Sequence, residues 1–432
     1  MKKLKDLKNE YLNALRVGWF LSLRQIKHAG KGTTVLIVFI MILTFLNLVV
    51  VSGLLLGLIV GSFEQFKESY SGDVLITSAS GREYIENSPE LISFLKHDPK
   101  VKALSTRHAI NAQVLGTLNS LPEKNESPNQ ITAGLSGINP VEEEKVTGFS
   151  KFVAYGKMLE PDESGYILIG ASLIKKYSAY ADANFPGLTL LENVEVGSRV
   201  RLTIMRKGGE NISKEFIVKG IVKSKIDQVS ARVFINGAEL KSLLPVNKEQ
   251  YQEIAVKTEP NYSPQLVKEI KNFLGSHVAR VQTSDEAIPS FLRDIETTMR
   301  ILGNALSSFA LAVASITIFI VVYINAVTKR KFIGIMKGIG ISPRAIEFAY
   351  IFQALYYGIV GSAIGLLLTF GFLKPYFDAY PINFPFSDGI LVVTPDSAAL
   401  RLFILLAVTL IAGYVPAKLI VRENTLDAIL GR

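Results

Sequence analysis

The sequence predicts a membrane protein: four transmembrane α-helices, with a large mixed α+β extracytoplasmic domain inserted between helix 1 and helix 2. Three observations carry this reading. Apolar runs of spanning length recur along the chain, lysine and arginine gather beside them, and the long stretch between the first two runs has the polarity of a soluble domain. A chain of 432 residues with mean hydropathy +0.30 and 20% charged residues is a mixture of two kinds of segment.

Residues 1–32 read as a cytoplasmic amphipathic segment. Leu12, Leu15, Trp19, Leu23 and Ile26 recur at helical spacing, with Arg16 and Arg24 on other faces. Two readings stay open: a helix lying in the membrane interface, or the cytoplasmic end of the first spanning helix. Residues 33–60 carry no charge and exceed the roughly 20 residues that cross about 30 Å of hydrocarbon. The run is also longer than the apolar region of about 7–15 residues in a cleaved signal peptide, so it is expected to be retained. Residues 300–327 and 348–373 are the second and third spans. The fourth, 398–417, needs Ala398–Leu400 on the near side of Arg401 to complete its length.

Charge orients the chain, because lysine and arginine are held in the cytoplasm during insertion. Lys2, Lys3, Lys5, Lys8, Arg16, Arg24, Lys27 and Lys31 precede the first span, and Lys329, Arg330, Lys331, Lys337 and Arg344 follow the second. The tail, 418–432, adds Lys418, Arg422 and Arg432, whereas the external loop, 374–397, has only Lys374. Both termini and loop 328–347 are therefore expected inside, and residues 61–299 outside, in a multi-pass protein of the cell (inner or cytoplasmic) membrane. The formal net charge of +9 marks topology rather than nucleic-acid binding, and the absence of cysteine excludes disulfides and thiolate chemistry.

Within 61–299, alternating patterns predict strands at Asp73–Ser78, Ile131–Ile138, Arg199–Met205, Phe216–Val222 and Arg232–Ile235. Helical periodicity covers Pro89–Lys96 and Pro264–Phe273, and Lys207–Glu210 reads as a hairpin turn. His28, His97, His108 and His277 lack metal-binding spacing, and Glu142, Glu143 and Glu144 read as a solvated acidic helix start. No GxSxG or HExxH motif occurs. Gly30-Lys31-Gly32-Thr33-Thr34 lacks the spacing of a phosphate-binding loop and opens a membrane helix. No catalytic, metal or cofactor site is expected in this chain.

The loop Thr328–Arg344 is short, basic and amphipathic. Ile333, Met336 and Ile339 fall near one helical face, and Gly338, Gly340 and Pro343 end the helix. Such a helix can dock a protein or lie on anionic lipid. With its basic run, Ile333-Gly334 and Gly340 before Ser342-Pro343-Arg344, the loop resembles the coupling segment of the MacB/FtsX family of ABC transporter permeases. Further phrases resemble the family in order: Gly156–Leu159, Tyr166–Gly170, Val196–Val200 and Val218–Val222 in the external domain, then Gly413–Ala417 and Leu426–Leu430 in the tail.

The resemblance implies a permease subunit that works by mechanotransmission with a separate cytoplasmic ATPase, ATP and Mg being bound on that partner. It also implies a homodimer or a heterodimer with a related permease, with Lys331, Phe332, Ile333, Gly334, Met336, Lys337, Gly338 and Gly340 forming the ATPase-coupling element. Phe332 departs from the family, many members of which have Glu there. The substrate would be a lipoprotein, peptide or other envelope component. The alternatives are an FtsX-like regulator of an external cell-wall enzyme and an ATPase-independent receptor; partners are a lipid membrane and an external protein or lipoprotein, not nucleic acid. Gly53, Gly57, Gly61, Gly361 and Gly365 form small-residue motifs that suit packing within one chain as well as between two.

Overall fold

The computed structural model describes residues 2–28, 30–116, 128–178, 181, 189–205, 211–244, 250–275, 278–383, 388–389 and 391–422. The expected turn at 207–210, His277 and the tail phrase 426–430 lie outside these residues. The helices used below are α1 (Lys2–Lys27), α2 (Lys31–Ser71), α3 (Ser88–His97), α4 (Pro140–Thr147), α5 (Gly237–Leu243), α6 (Ser263–Leu274), α7 (Ser290–Thr328), α8 (Arg330–Gly338), α9 (Pro343–Ala379) and α10 (Pro395–Val421). Four of them, α2, α7, α9 and α10, are long and apolar enough to cross a membrane. The fold class is the expected one: four apolar helices with a mixed α/β domain between the first and second.

The chain divides into two compact units. The membrane unit comprises residues 1–59, 294–382 and 389–432. Its core is built from stripes at helical spacing: Ile37, Met41, Phe45 and Leu48 of α2, Ile318, Val322 and Ala326 of α7, and Ile346, Tyr350, Ala354 and Tyr357 of α9. Helix α9 is seated by glycines. A Cβ on Gly361 would overlap Met41, one on Gly365 would come within 2.5 Å of Phe45, and one on Gly413 of α10 would come within 2.8 Å of Ala354. Gly53 similarly receives Leu391 and Val393. These contacts place Gly53, Gly361 and Gly365 in packing within one chain; Gly57 and Gly61 are buried. Phe309, Val313, Ile316 and Ile320 of α7 face outward, as lipid-facing positions require.

Helix α1 is distinct from α2: Gly30 adopts an extended conformation (φ −58°, ψ 122°) before α2 begins. That break removes the reading in which α1 simply continues the first span. Gly18 lets α1 approach α9 closely, since a Cβ there would come within 2.7 Å of Phe348 and 2.9 Å of the Ala345 carbonyl. Trp19 meets Phe352 edge-on at 5.4 Å, and Arg344 pairs with Glu10 at 3.3 Å.

The second unit, named external after the topology that the charge pattern predicts, contains residues 60–293 with 383–388. Its strands are β1 (Val74–Ser78), β2 (Val101–Leu115), β3 (Gln130–Ile138), β4 (Val153–Gly156), β5 (Tyr166–Gly170), β6 (Arg199–Ile204), β7 (Ile212–Val222), β8 (Arg232–Asn236), β9 (Glu253–Thr258) and β10 (Ala279–Thr283). Strand order is β10-β1-β9-β2-β3-β8-β5-β7-β4, with β6 pairing both β2 and β7. The path β2-β3-β8-β5-β7-β6 thus returns to its start, a closed circuit of barrel type that removes sheet edges. β2 spans both parts: Val101–Arg107 pairs with β9 of the open sheet, and Ala112–Leu115 pairs with β6.

Two cores follow from this arrangement. Val114, Leu135, Ile167, Val200, Phe216 and Val233 fill the closed part. Leu91 and Leu95 of α3, with Leu266 and Ile270 of α6, cover Ile76 of β1 and Ile254 and Val256 of β9. The expected strands and helices are all present, most with bounds shifted by a residue or two. The patterning left out β2, β4, β5, β9 and β10, and it began β7 four residues late.

Candidate coupling site

Helix α7 ends at Thr328, and Lys329 turns the chain into α8. Gly340 takes φ +93°, a left-handed conformation that suits glycine, and closes α8. Ser342 caps α9 by accepting from the Ala345 N–H at 3.2 Å, with Pro343 in the first helical turn. Short connections on both sides therefore hold α8 between two membrane helices.

The candidate residues fall on different faces. Ile333 is 1% exposed, belongs to the membrane-unit core and stands beside buried Gly334. Met336 packs against the same core, and Lys337 is half-buried. Lys331, Gly338 and Gly340 are exposed. The open apolar face consists of Phe332 (67% exposed), Ile335 (44%) and Ile339 (74%). Ile333 and Gly334 thus face the core of the membrane unit and not the surface. Phe332, at which the loop departs from the family it resembles, is part of that exposed face.

A second site was missed because its residues looked ordinary. Glu143 is not solvated: it is 1% exposed, while Glu142 is half-buried and Glu144 exposed. Its carboxylate accepts from Arg107 Nε at 2.9 Å and Nη2 at 2.6 Å, from Ser105 at 2.7 Å and from Thr147 Oγ1 at 2.9 Å. Arg232 engages Glu253 through both terminal nitrogens at 3.0 and 3.2 Å, and Arg107 lies 3.7 Å from the same carboxylate. Arg107 also donates to the Tyr70 carbonyl at 2.8 Å, and both guanidiniums flank the Tyr70 ring at 5.0 and 5.1 Å.

Burial opposes charge on Arg107, yet Glu143 and Glu253 outweigh it and hold its pKa above the usual value. Burial raises Glu253 as well, but Arg232 and Arg107 prevail and hold that carboxylate below its ordinary value. The only sequence signal for the cluster was Arg232 inside a predicted strand; Arg107 and Glu253 lie in β2 and β9, which the patterning left out, and Glu143 lies in helix α4. Of the histidines, His28 and His97 bond backbone carbonyls one turn back, and His108 is buried and stacks on Tyr251 at 4.7 Å.

Residues 304–425 match the family model described as FtsX-like permease C-terminal. The ABC transporter permease YtrF of Bacillus subtilis (strain 168) is 26% identical over 168 residues, which are 36% of this chain and 37% of YtrF. The chain therefore spans little more than a third of that relative. Among solved structures, the periplasmic region of MacB from Actinobacillus actinomycetemcomitans covers 52% of this chain and 92% of its own length, at 16% identity and TM-score 0.33. The extracellular domain of the noncanonic ABC-type transporter YknZ from Gram-positive bacteria covers 48% of this chain and 98% of its own length, at 17% identity and TM-score 0.30. Residues 304–425 thus match an FtsX-like permease region, and the likeness to an ABC transporter permease agrees with the resemblance carried by the loop, in a chain with four helices long and apolar enough to cross a membrane.

Proposed function

We propose that the chain is the non-catalytic permease subunit of an ABC transporter, coupling ATP hydrolysis on a separate cytoplasmic ATPase to movements of its external domain. The observation that carries this is α8: a basic, amphipathic helix tethered at both ends, whose inner face is anchored by Ile333 and whose outer face offers Phe332, Ile335 and Ile339. A tethered helix can move the membrane helices only if its partner grips the free face. Lys331 and Lys337 flank that apolar grip, and Gly338 and Gly340 keep the helix short. In this reading both termini and α8 are cytoplasmic, residues 61–299 act on a lipoprotein, peptide or other envelope substrate, and two permease chains, identical or related, serve two ATPase subunits that bind ATP and Mg.

Mild-detergent purification of the tagged full chain from its native membrane, followed by mass spectrometry and an ATPase assay, tests this. A cytoplasmic ATP-binding protein in equal amount is expected, lost on Phe332→Glu with the permease still folded. A wild-type chain that purifies alone and without ATPase activity would leave an ATPase-independent receptor as the better reading.

A further inference from the structure

The membrane unit contains a cavity of about 280 Å³ between α2, α7 and α10. Leu55 and Ile59 give it an apolar wall, while Glu296, Arg300 and Arg401 supply charge. Arg300 pairs with Glu296 one helical turn earlier. Arg401 has no carboxylate partner among the described residues. It donates to the Val49 carbonyl at 3.3 Å, within the π-helical turn Asn47–Val51 of α2. A guanidinium has five N–H donors, so most of its hydrogen-bonding capacity is directed elsewhere.

Arginine within an apolar span is costly and commonly marks a functional site. The cheap escape is to extend toward water, but Arg401 reaches Val49, which lies mid-way along the uncharged run 33–60. Two guanidiniums against one carboxylate leave the cavity with an excess positive charge. The planar fork of arginine suits the oxygens of a phosphate. The volume is small beside pockets that enclose a whole drug-sized ligand, so it fits a head group whose tails remain in surrounding hydrocarbon.

We infer that this cavity binds the phosphate head group of an anionic membrane lipid, held by Arg401 and Arg300, with the lipid chains along the wall of Leu55 and Ile59. With the proposed topology, the lipid comes from the outer leaflet. Binding itself requires no ATPase partner, so its failure would leave the permease reading untouched.

The probe is the full chain reconstituted in nanodiscs with equal phosphatidylglycerol and phosphatidylcholine, followed by native mass spectrometry of the lipid retained after detergent release. Retained phosphatidylglycerol should exceed phosphatidylcholine by about tenfold, the scale of one charge-assisted hydrogen bond. Arg401→Gln should return the ratio to that of the bilayer. Gly303→Leu fills the cavity with both arginines in place, and should remove bound lipid of either kind; thermal melting checks that each variant is folded. If Arg401→Gln does not fold, Gly303→Leu alone decides the matter. Unchanged retention in Gly303→Leu would overturn the proposal, as would an equal lipid ratio in the wild type, or cross-linking of position 401 to a second copy in place of lipid.

Discussion

The two units solve the same problem, bringing chain segments into close contact, with different emphasis. The membrane unit does it by removing side chains: Gly18, Gly361, Gly365 and Gly413 let helices touch where a methyl group would not fit. The external unit uses glycine too, as at Gly156 and Gly170, but adds apolar filling and a buried ionic cluster in which Arg107 pairs with Glu143 and Arg232 with Glu253. The difference follows from the solvent. Lipid offers no hydrophobic gain for bringing helices together, so association depends on fit, whereas water rewards burial and tolerates buried charge only when it is paired.

The largest effect should come from unpairing that cluster. Glu143→Leu leaves Arg107 buried beside an apolar group, and the external unit should lose about 3–5 kcal/mol, read as a fall in the denaturation midpoint of the full chain. The double variant Arg107→Leu/Glu143→Leu should recover part of the loss, because no charge is then left uncompensated. In the membrane unit, Gly361→Leu should cost about 1–3 kcal/mol through overpacking against Met41, measured as reduced thermal stability in detergent, while the external unit keeps its own melting behaviour.

Acid should separate the units next. Buried His108 has a pKa below its ordinary 6.5, so the folded state binds fewer protons than the unfolded state, and stability falls as pH drops below that value. Glu253, held below its ordinary 4.5, contributes stability that is present above that value and is lost as pH falls through its folded pKa. The external unit should therefore weaken in two stages on acidification, seen as a falling melting temperature. The smallest effect on stability should be that of Phe332→Ala, within about 0.5 kcal/mol for an exposed position, with any larger consequence appearing only in ATPase coupling.

What could be read in advance also divides between the units. The spans were visible because length and the absence of charge are sufficient signals for a membrane helix. In the external unit, β1, β3, β6 and β8 announced themselves by alternation, but β2 did not. Its Ser105, Arg107 and His108 are buried beside apolar neighbours because the strand is enclosed within the unit, which erases the two-residue pattern. Helix α8 was recognisable as a short helix from its amphipathic pattern and closing glycines. Which of its apolar residues face inward was not, because Phe332, Ile333, Ile335, Met336 and Ile339 share one broad face and only packing into the membrane-unit core selects Ile333 over Phe332.

The long strand β2 has one more consequence. Because one continuous stretch of backbone contributes hydrogen bonds to both the closed circuit and the open sheet, neither part can come apart without freeing polar groups in the other. Separate stability for the two cores is thereby denied, and the external unit should melt as a single cooperative entity despite having two.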